Sequence, residues 1–303
     1  SNFFRVPAWL KPAIQSEFYI KIGIVCLGAT ILFGEILHSG VYALAQAFIV
    51  VFLVWYFAFW VSRRMKVDDE MATMLSCGVS AAIATCGVIK GDNKKLSYII
   101  SLVLVCAVPM MYVMPWLAKL VLPALLGDPK VVEEVAGAWM GGTIDTTGAV
   151  VASGALLGET AEQTAVIVKS SQNVLLGLAA FVISLYWSYR GREGQEKPSA
   201  GVIWDRFPKF VVGFVAVSLL FSLFFDRGAG TPDAMVRGTA KNFSNTLFSI
   251  AFVCIGLETR FSEIFSKENR NALWAFLSAQ TFNIVVTFIV AFLLFGVLKP
   301  MWA

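Results

Sequence analysis

Residues 137–158 read GAWMGGTIDTTGAVVASGALLG, and this stretch decides which kind of fold the chain forms. It is apolar overall, yet glycines, threonines and one aspartate interrupt it at short intervals. Irregular backbone is tolerated at membrane depth only where protein or a water-filled cavity satisfies its polar groups. A second stretch, residues 71–91 (MATMLSCGVSAAIATCGVIKG), has the same character. Both stretches predict broken or re-entrant helices.

The composition indicates that the chain lies in a membrane. Of its 303 residues, 58% are hydrophobic and 15% are charged, and the mean hydropathy is +0.74. A soluble domain is about 45–50% apolar and about 25% charged. Apolar runs of about 20 residues favour helices over a β-barrel. These values exclude a soluble enzyme or a nucleic-acid-binding protein, and the lipid bilayer is the expected partner.

Seven further apolar runs are long enough to cross a bilayer as helices. They are residues 18–37, 41–61, 96–121, 165–187, 209–226, 243–259 and 272–298. Together with the two interrupted stretches they predict a single transmembrane domain over residues 1–303. The loop Lys and Arg residues fit the positive-inside rule if both interrupted stretches span or both re-enter, and they leave open which. The rule also predicts a multi-pass protein with the N-terminus of this chain in the cytoplasm.

An internal repeat relates residues 22–37 (IGIVCLGATILFGEIL) to residues 250–265 (IAFVCIGLETRFSEIF). The matches that hydrophobic composition does not explain are Cys26 with Cys254, Gly28 with Gly256 and Glu35 with Glu263. The predicted topology runs the two copies in opposite directions, as in the inverted repeats of secondary transporters. We therefore predict an all-α polytopic membrane protein, an inverted-repeat, secondary-transporter-like bundle with discontinuous helices.

Asp145 is the first candidate for function, because an ionisable residue at membrane depth is costly to keep there. With Thr143, Thr146 and Thr147 it is a candidate site for a coupling ion, either a proton or Na⁺. The alternative is a helix cap, since Asp or Thr before an apolar run caps the helix that follows.

Lys169, Gln172 and Asn173 share one helix face, because they lie at positions i, i+3 and i+4. A cation and two amides on one face predict a site for an oxyanion substrate. The alternative for Lys169 is a lysine that extends its ammonium group to the membrane surface. Lys169 and Asp145 could also simply pair, each lowering the cost of burying the other.

Residues 76–80 (SCGVS) could break the helix of the second interrupted stretch. The half-helix that follows would then present free N–H groups to an anion, with Ser76, Gly78 and Ser80 as candidate binding residues. Close packing of small residues between helices is the alternative.

Four amide side chains leave further alternatives open. Asn242 and Asn245 either line a pathway or cap a helix, and Gln280 and Asn283 either join two helices or contact substrate. The sequence contains a single histidine and no metal-ligand spacing among its five cysteines. We therefore expect no enzyme, no cofactor and no metal other than Na⁺ as a coupling ion at Asp145.

The chain resembles the YeiH-type family, for which sulfate export has been inferred and which is grouped with bile-acid/sodium-symporter-like transporters. The matching text is KIGIVCLGATILFGEIL, CGVSAAIATCGVIKG, GAWMGGTIDTTGAVVASG with VIVKSSQN, and IAFVCIGLET. The resemblance implies a carrier of the bacterial inner membrane with inverted repeats, crossed broken helices and an anionic substrate. It also implies a homodimer.

Two departures from that family stand out. Its members show a His-Asp or His-Glu pair where this chain has Asp145-Thr146, and an Arg near the position of Gln172, so we expect a different branch with its own substrate or coupling ion. They also carry further hydrophobic helices ahead of the segment that matches residue 18. We therefore expect this chain to begin part-way through a longer protein.

The expected function is secondary active transport, in the export direction, of a small anion such as sulfate, an organic sulfonate or a carboxylate. Coupling to H⁺ or Na⁺ and alternating access are expected. An uncoupled anion channel, or a membrane receptor or scaffold without transport, are the alternatives.

Overall fold

The computed structural model describes residues 7, 9–31, 33–75, 93–189, 209–225, 232–258 and 270–301, and within them it contains helices and no strand. The α-helices are α1 (Ser16–Leu27), α2 (Phe33–Arg64), α3 (Asp69–Leu75), α4 (Asn93–Leu125), α5 (Pro129–Thr143), α6 (Thr147–Ala155), α7 (Glu159–Tyr189), α8 (Lys209–Phe224), α9 (Pro232–Glu258), α10 (Arg270–Ala291) and α11 (Lys299–Met301). Short 3₁₀ helices cover Lys11–Ala13 and Gly28–Thr30, and a π-helix covers Phe292–Leu298.

Three stretches of helix in the described part of the chain are long and apolar enough to cross a membrane. They are Ile36–Arg64, Tyr98–Leu125 and Arg270–Met301. Along α2, the side chains of Phe48, Phe52, Tyr56 and Trp60 follow at every fourth residue, and each is more than half exposed. A continuous apolar stripe of this kind suits contact with lipid. The prediction of an all-α membrane protein is confirmed.

The chain forms two compact units. The first unit combines Ser1–Tyr42 with Pro208–Arg260, and the second combines Ala43–Phe207 with Phe261–Ala303.

In the first unit, α1 and α9 run antiparallel. The Ser244 hydroxyl of α9 donates a 2.7 Å hydrogen bond to the Gly23 carbonyl of α1, whereas Cys254, further along α9, lies 3.9 Å from the carbonyl oxygen of Ala13. A methyl group on Gly23 would lie 2.8 Å from the Phe248 ring, so the glycine permits this close approach. The two copies of the predicted repeat begin on these helices and so start in opposite directions; the inverted repeat itself stays a prediction.

The predicted span 18–37 is divided between α1 and α2 in the structure. Gly28–Thr30 is a 3₁₀ turn and Ile31 has extended backbone angles. The polar backbone groups at this break are satisfied by two serines of α8. Ser218 donates from its hydroxyl to the Ile31 carbonyl, and the Phe33 amide donates to the Ser222 hydroxyl at 2.9 Å. Because these partners lie almost 190 residues away in the sequence, the apolar run itself gives no sign of the break.

In the second unit, ion pairs hold the start of α3 against the start of α4. Lys95 donates to the carboxylate of Asp68 and, at 2.8 Å, to that of Glu70. Burial raises the pKa of Asp68, but the hydrogen bond and the charge of Lys95, with two backbone amides, lower it by more, so the pKa lies below its ordinary value. Hydrogen bonds to the two carboxylates hold the pKa of Lys95 above its ordinary range.

Candidate functional site

The interrupted stretch 137–158 forms two helices with a break between them. Helix α5 ends at Thr143 and α6 begins at Thr147, and both Ile144 and Thr146 have extended backbone angles. We call residues 142–146 the hairpin tip. The sequence left open whether this stretch spans the membrane or re-enters, and the contacts of α5 and α6 with α7 show the path of the chain at the break.

The chain reverses direction at the hairpin tip. A methyl group added to Gly137 of α5 would clash with the carbonyl oxygen of Ala161 on α7, and one added to Gly154 of α6 would lie 3.1 Å from that same oxygen. Two residues on opposite sides of the tip therefore lie beside one turn of α7. Helices α5 and α6 form a hairpin, which is the geometry expected of a re-entrant segment.

Small residues set the distance between α5 and α7. Gly137 and Gly141 lie one turn apart, and their hypothetical methyl groups would meet the backbone at Ala161 and Ala165 respectively. This small-xxx-small spacing on both helices lets two backbones approach closely, as in packed transmembrane helices. Because the later glycine of α5 meets the later alanine of α7, α5 runs parallel to α7. The next turn of α7 carries Lys169, so the tip lies beside that residue.

Lys169 binds directly to the hairpin tip. Its ammonium group donates to the Ile144 carbonyl at 2.8 Å and to the side-chain oxygen of Gln172 at 2.8 Å. The Gln172 amide in turn donates to the Gly142 carbonyl at 3.4 Å. Lys169 is 4% exposed, so its charge does not extend to the surface of the second unit as the snorkelling alternative required.

Helix α10 supplies the amides for the carbonyl of Thr143. Gln280 and Asn283 each donate to it at 3.1 Å, and Asn283 accepts a 2.7 Å hydrogen bond from the Thr287 hydroxyl. All three side chains are buried. A helix end leaves its last carbonyls without intrahelical partners, and here side chains of α7 and α10 provide those partners.

Asp145 lies at the centre of the tip and is half-buried. Its carboxyl group interacts electrostatically with Lys169 and with the amide of Gln280, and it also lies within range of Cys106 on α4. Lys169 donates to the carbonyl of Ile144, the residue before Asp145, and the direct pairing of Lys169 with Asp145 stays a prediction. Thr146 occupies the N-cap position of α6, but its side chain makes no capping hydrogen bond. The structure therefore does not show Thr146 acting as a helix cap.

Three buried polar atoms near the tip or beside Lys169 have no hydrogen-bond partner. They are the Thr143 hydroxyl, the side-chain oxygen of Gln46 and the Ser170 hydroxyl. Gln46 reaches the hairpin from α2, where its amide donates to the Ala138 carbonyl at 2.7 Å. Buried polar groups are normally paired, so unpaired atoms beside a charged site are consistent with a site for a polar ligand.

The remaining predicted site residues lie elsewhere. Asn173 is half-buried on α7 near Gln172, and Thr147 is the first residue of α6. Asn242 and Asn245 are exposed within α9 of the first unit, too far inside the helix to cap it. Ser76, Gly78 and Ser80 lie outside the described residues. Gln46 and Thr287 were not predicted, because each is a single polar residue in an apolar run and meets the tip only in three dimensions.

The fold and this site define a class, an all-α membrane protein that carries a discontinuous helical hairpin with buried charge at its tip. Comparison with known proteins identifies the family. A family model described as conserved hypothetical protein 698 matches residues 2–275. The chain belongs to this family, and the resemblance to YeiH-type proteins is confirmed.

The chain is similar to bacterial proteins named UPF0324 membrane protein. The relative from Rhodopirellula baltica is 39% identical over 98% of this chain and 56% of its own length. A relative from Nitratidesulfovibrio vulgaris is 38% identical over 99% of this chain and 53% of its own length. A relative from Nitrosomonas europaea is 29% identical over 87% of this chain and 60% of its own length. The chain thus spans about half the length of the curated relatives it matches. No solved structure matches it.

Proposed function

We propose that the protein is a secondary active transporter that exports a small anion across the bacterial inner membrane. The proposed substrate is sulfate, an organic sulfonate or a carboxylate, with H⁺ or Na⁺ as the coupling ion and alternating access as the mechanism. The hairpin tip binds the anion, and the N-terminus of this chain faces the cytoplasm. The protein performs no enzymatic chemistry in this proposal, and its surroundings are lipid and a second copy of itself.

The observation that carries the proposal is the buried ammonium group of Lys169 at a helix break. A charged residue inside a membrane segment is costly and commonly marks the path of an ion or substrate. Lys169 donates two hydrogen bonds, to Ile144 and to Gln172. An ammonium group has three donors, so one donor remains for an oxyanion.

The start of α6 adds a second attraction for an anion. The first N–H groups of a helix have no intrahelical partner and carry the positive end of the helix dipole. The side chain of the N-cap residue Thr146 does not accept a hydrogen bond from them. The unpaired hydroxyl of Thr143, at the other side of the break, offers a further polar contact. Broken helices whose ends point at an anionic group are a recurrent design in secondary transporters.

Charge movement in proteoliposomes tests the proposal. The purified protein is adsorbed on a solid-supported membrane and exposed to jumps of sulfate, methanesulfonate or acetate, with and without imposed proton or sodium gradients. We expect a saturable current for at least one anion, dependent on a gradient of the coupling ion. Lys169→Met should reduce it at least tenfold.

Lys21→Met is the matched control, because Lys21 is half exposed and pairs with Glu17 in the first unit. Gln172→Met offers a second site variant with no loss of charge, should Lys169→Met fail to fold by size-exclusion chromatography. Flux that follows the anion gradient alone, with no coupled ion, would indicate an uncoupled channel instead of a carrier. No flux for any anion, including in isotope counterflow, would leave a receptor or scaffold and overturn the proposal.

A further inference from the structure

We propose that the anion and one proton bind to the hairpin tip together, with the carboxylate of Asp145 as the proton acceptor, which makes H⁺ the coupling ion. This inference rests on the proposed function, since it requires that the tip bind a transported anion. It adds the identity of the coupling ion and the reason why the two ligands bind as a unit.

The charges at the hairpin tip balance. Lys169, a cation, donates to the carbonyl of Ile144 at 2.8 Å, and Ile144 directly precedes Asp145, an anion, so one charge of each sign lies at the break. Asp145 also lies within reach of Gln280. The site is therefore neutral as it stands. A substrate anion that arrives beside Lys169 adds an uncompensated negative charge close to Asp145, and like charges in a low-dielectric site disfavour each other strongly. A proton on the Asp145 carboxylate forms the neutral acid and restores the balance.

The tip offers Na⁺ few ligands. The Thr143 carbonyl already accepts two hydrogen bonds, and the Gly142 and Ile144 carbonyls accept one each, so the Thr143 hydroxyl is the unpaired oxygen at the break itself. The donor to Ile144 is itself a cation, Lys169, which repels a metal ion at that position. A proton needs one carboxylate oxygen and no coordination shell.

Two titratable groups of the described residues surround Asp145. From α7 it faces the Lys169 ammonium, and from α4 it faces the Cys106 thiol. Helix α10 contributes amides, Gln280 and Asn283, which do not titrate. Among the described residues near the tip, Asp145 is therefore the carboxylate that is available to take up a proton.

The experiment measures anion affinity against pH. Proteoliposomes of the full-length protein in sodium-free buffer are given jumps of sulfate, methanesulfonate or acetate at pH 5.5, 6.5, 7.5 and 8.5, and the half-saturating concentration is recorded. Vesicle-trapped pyranine reports proton movement in the same preparation during the sulfate and methanesulfonate jumps, since acetic acid crosses a bilayer without a carrier and brings its proton with it. We expect the half-saturating concentration to rise by up to tenfold per pH unit on the alkaline side, which is the limit for one linked proton. Anion flux should move protons without sodium.

Two variants separate Asp145 from other sources of pH dependence. Asp145→Asn should bind the anion with an affinity that does not change with pH, and should transport without moving protons. Glu17→Gln, the same chemical change at an exposed residue of the first unit, should behave as the wild type. If Asp145→Asn does not fold, the wild-type pyranine signal still decides whether H⁺ is the coupling ion.

The possible failures are distinguishable. A saturable current that is independent of pH, requires sodium, or persists with full pH dependence in Asp145→Asn would overturn this inference and leave the proposed anion transport intact. No saturable response to any of the three anions at any pH would overturn the proposed function itself, and this inference with it.

Discussion

Gly141→Ala adds one methyl group at the contact that sets the hairpin tip beside Lys169. The new carbon would lie 2.7 Å from the carbonyl oxygen of Ala165 and 3.0 Å from Cβ of Val168 on α7. Neither neighbour is the flexible end of a side chain, so neither can yield without a shift of the α7 backbone. The substitution therefore forces α5 and α7 apart.

The size of the shift follows from these distances. Ordinary carbon contacts lie at about 3.5–4.0 Å, so the two helices must separate by roughly 0.5–1 Å at Gly141. Overpacking of this kind typically costs about 1–3 kcal/mol. The hydrogen bond from Lys169 to the Ile144 carbonyl is 2.8 Å long, and a shift of about 0.5 Å takes it beyond the normal range of 2.7–3.2 Å. We expect both stability and transport to fall.

Thermal unfolding in detergent micelles measures the stability, with Gly238→Ala as the matched control. Gly238 lies inside α9 and has open space where a methyl group would be added. A helical Gly→Ala change without a clash stabilises by about 0.5–1 kcal/mol. At about 2–4 °C per kcal/mol, Gly141→Ala should lower the midpoint by several degrees while Gly238→Ala leaves it equal or higher. The reasoning is refuted if Gly141→Ala unfolds and transports like Gly238→Ala.

Two further predictions concern ion pairs of the second unit. Lys299 and Glu134 form a 2.7 Å ion pair with side chains only 10% and 13% exposed. Glu134→Gln or Lys299→Met alone should therefore destabilise the protein by about 3–5 kcal/mol. The double variant should lose less stability than the sum of the two, and simple additivity of the changes in unfolding midpoint would contradict the pairing. Because the pKa of Asp68 is lowered in the folded protein, Asp68 contributes stability above its unfolded pKa of about 3.9, and this contribution is lost as the pH falls below that value. Asp68 is half exposed, so solvent screening keeps the effect below about 1 kcal/mol. Comparing midpoints at pH 6 and pH 3.5 for the wild type and Lys95→Met checks this, and an equal drop in both would rule out the ion pair as the cause.

The break in 137–158 could be predicted from the sequence because its cause is local. Glycine and threonine residues around Asp145 loosen the helix whatever lies nearby. The path of the chain after the break could not be predicted, since the loop charges fit a spanning and a re-entrant pair equally well. The reversal depends on Gly137 and Gly154 meeting the same turn of α7, which is a tertiary contact.

The break between α1 and α2 shows the opposite case. Residues 18–37 are apolar enough to predict one uninterrupted span. The interruption at Ile31 is stabilised by hydroxyl groups of Ser218 and Ser222, and nothing in the local sequence marks those serines as its partners. A polar residue in one apolar run can therefore satisfy the backbone of another, and sequence periodicity does not detect this.

The way in which the hairpin tip is held connects its structure to the proposed transport cycle. Its open carbonyls are bound by side chains, from Lys169 and Gln172 on α7 and from Gln280 and Asn283 on α10. Side-chain hydrogen bonds can be exchanged for bonds to a ligand without unfolding a helix, whereas intrahelical bonds cannot. In the proposed function an anion binds the third donor of Lys169, whose other donors bind the Ile144 carbonyl and Gln172, so ligand binding and the position of the hairpin depend on the same ammonium group. That dependence is what alternating access requires, because a ligand shifts a conformational equilibrium only through contacts that differ between the two states.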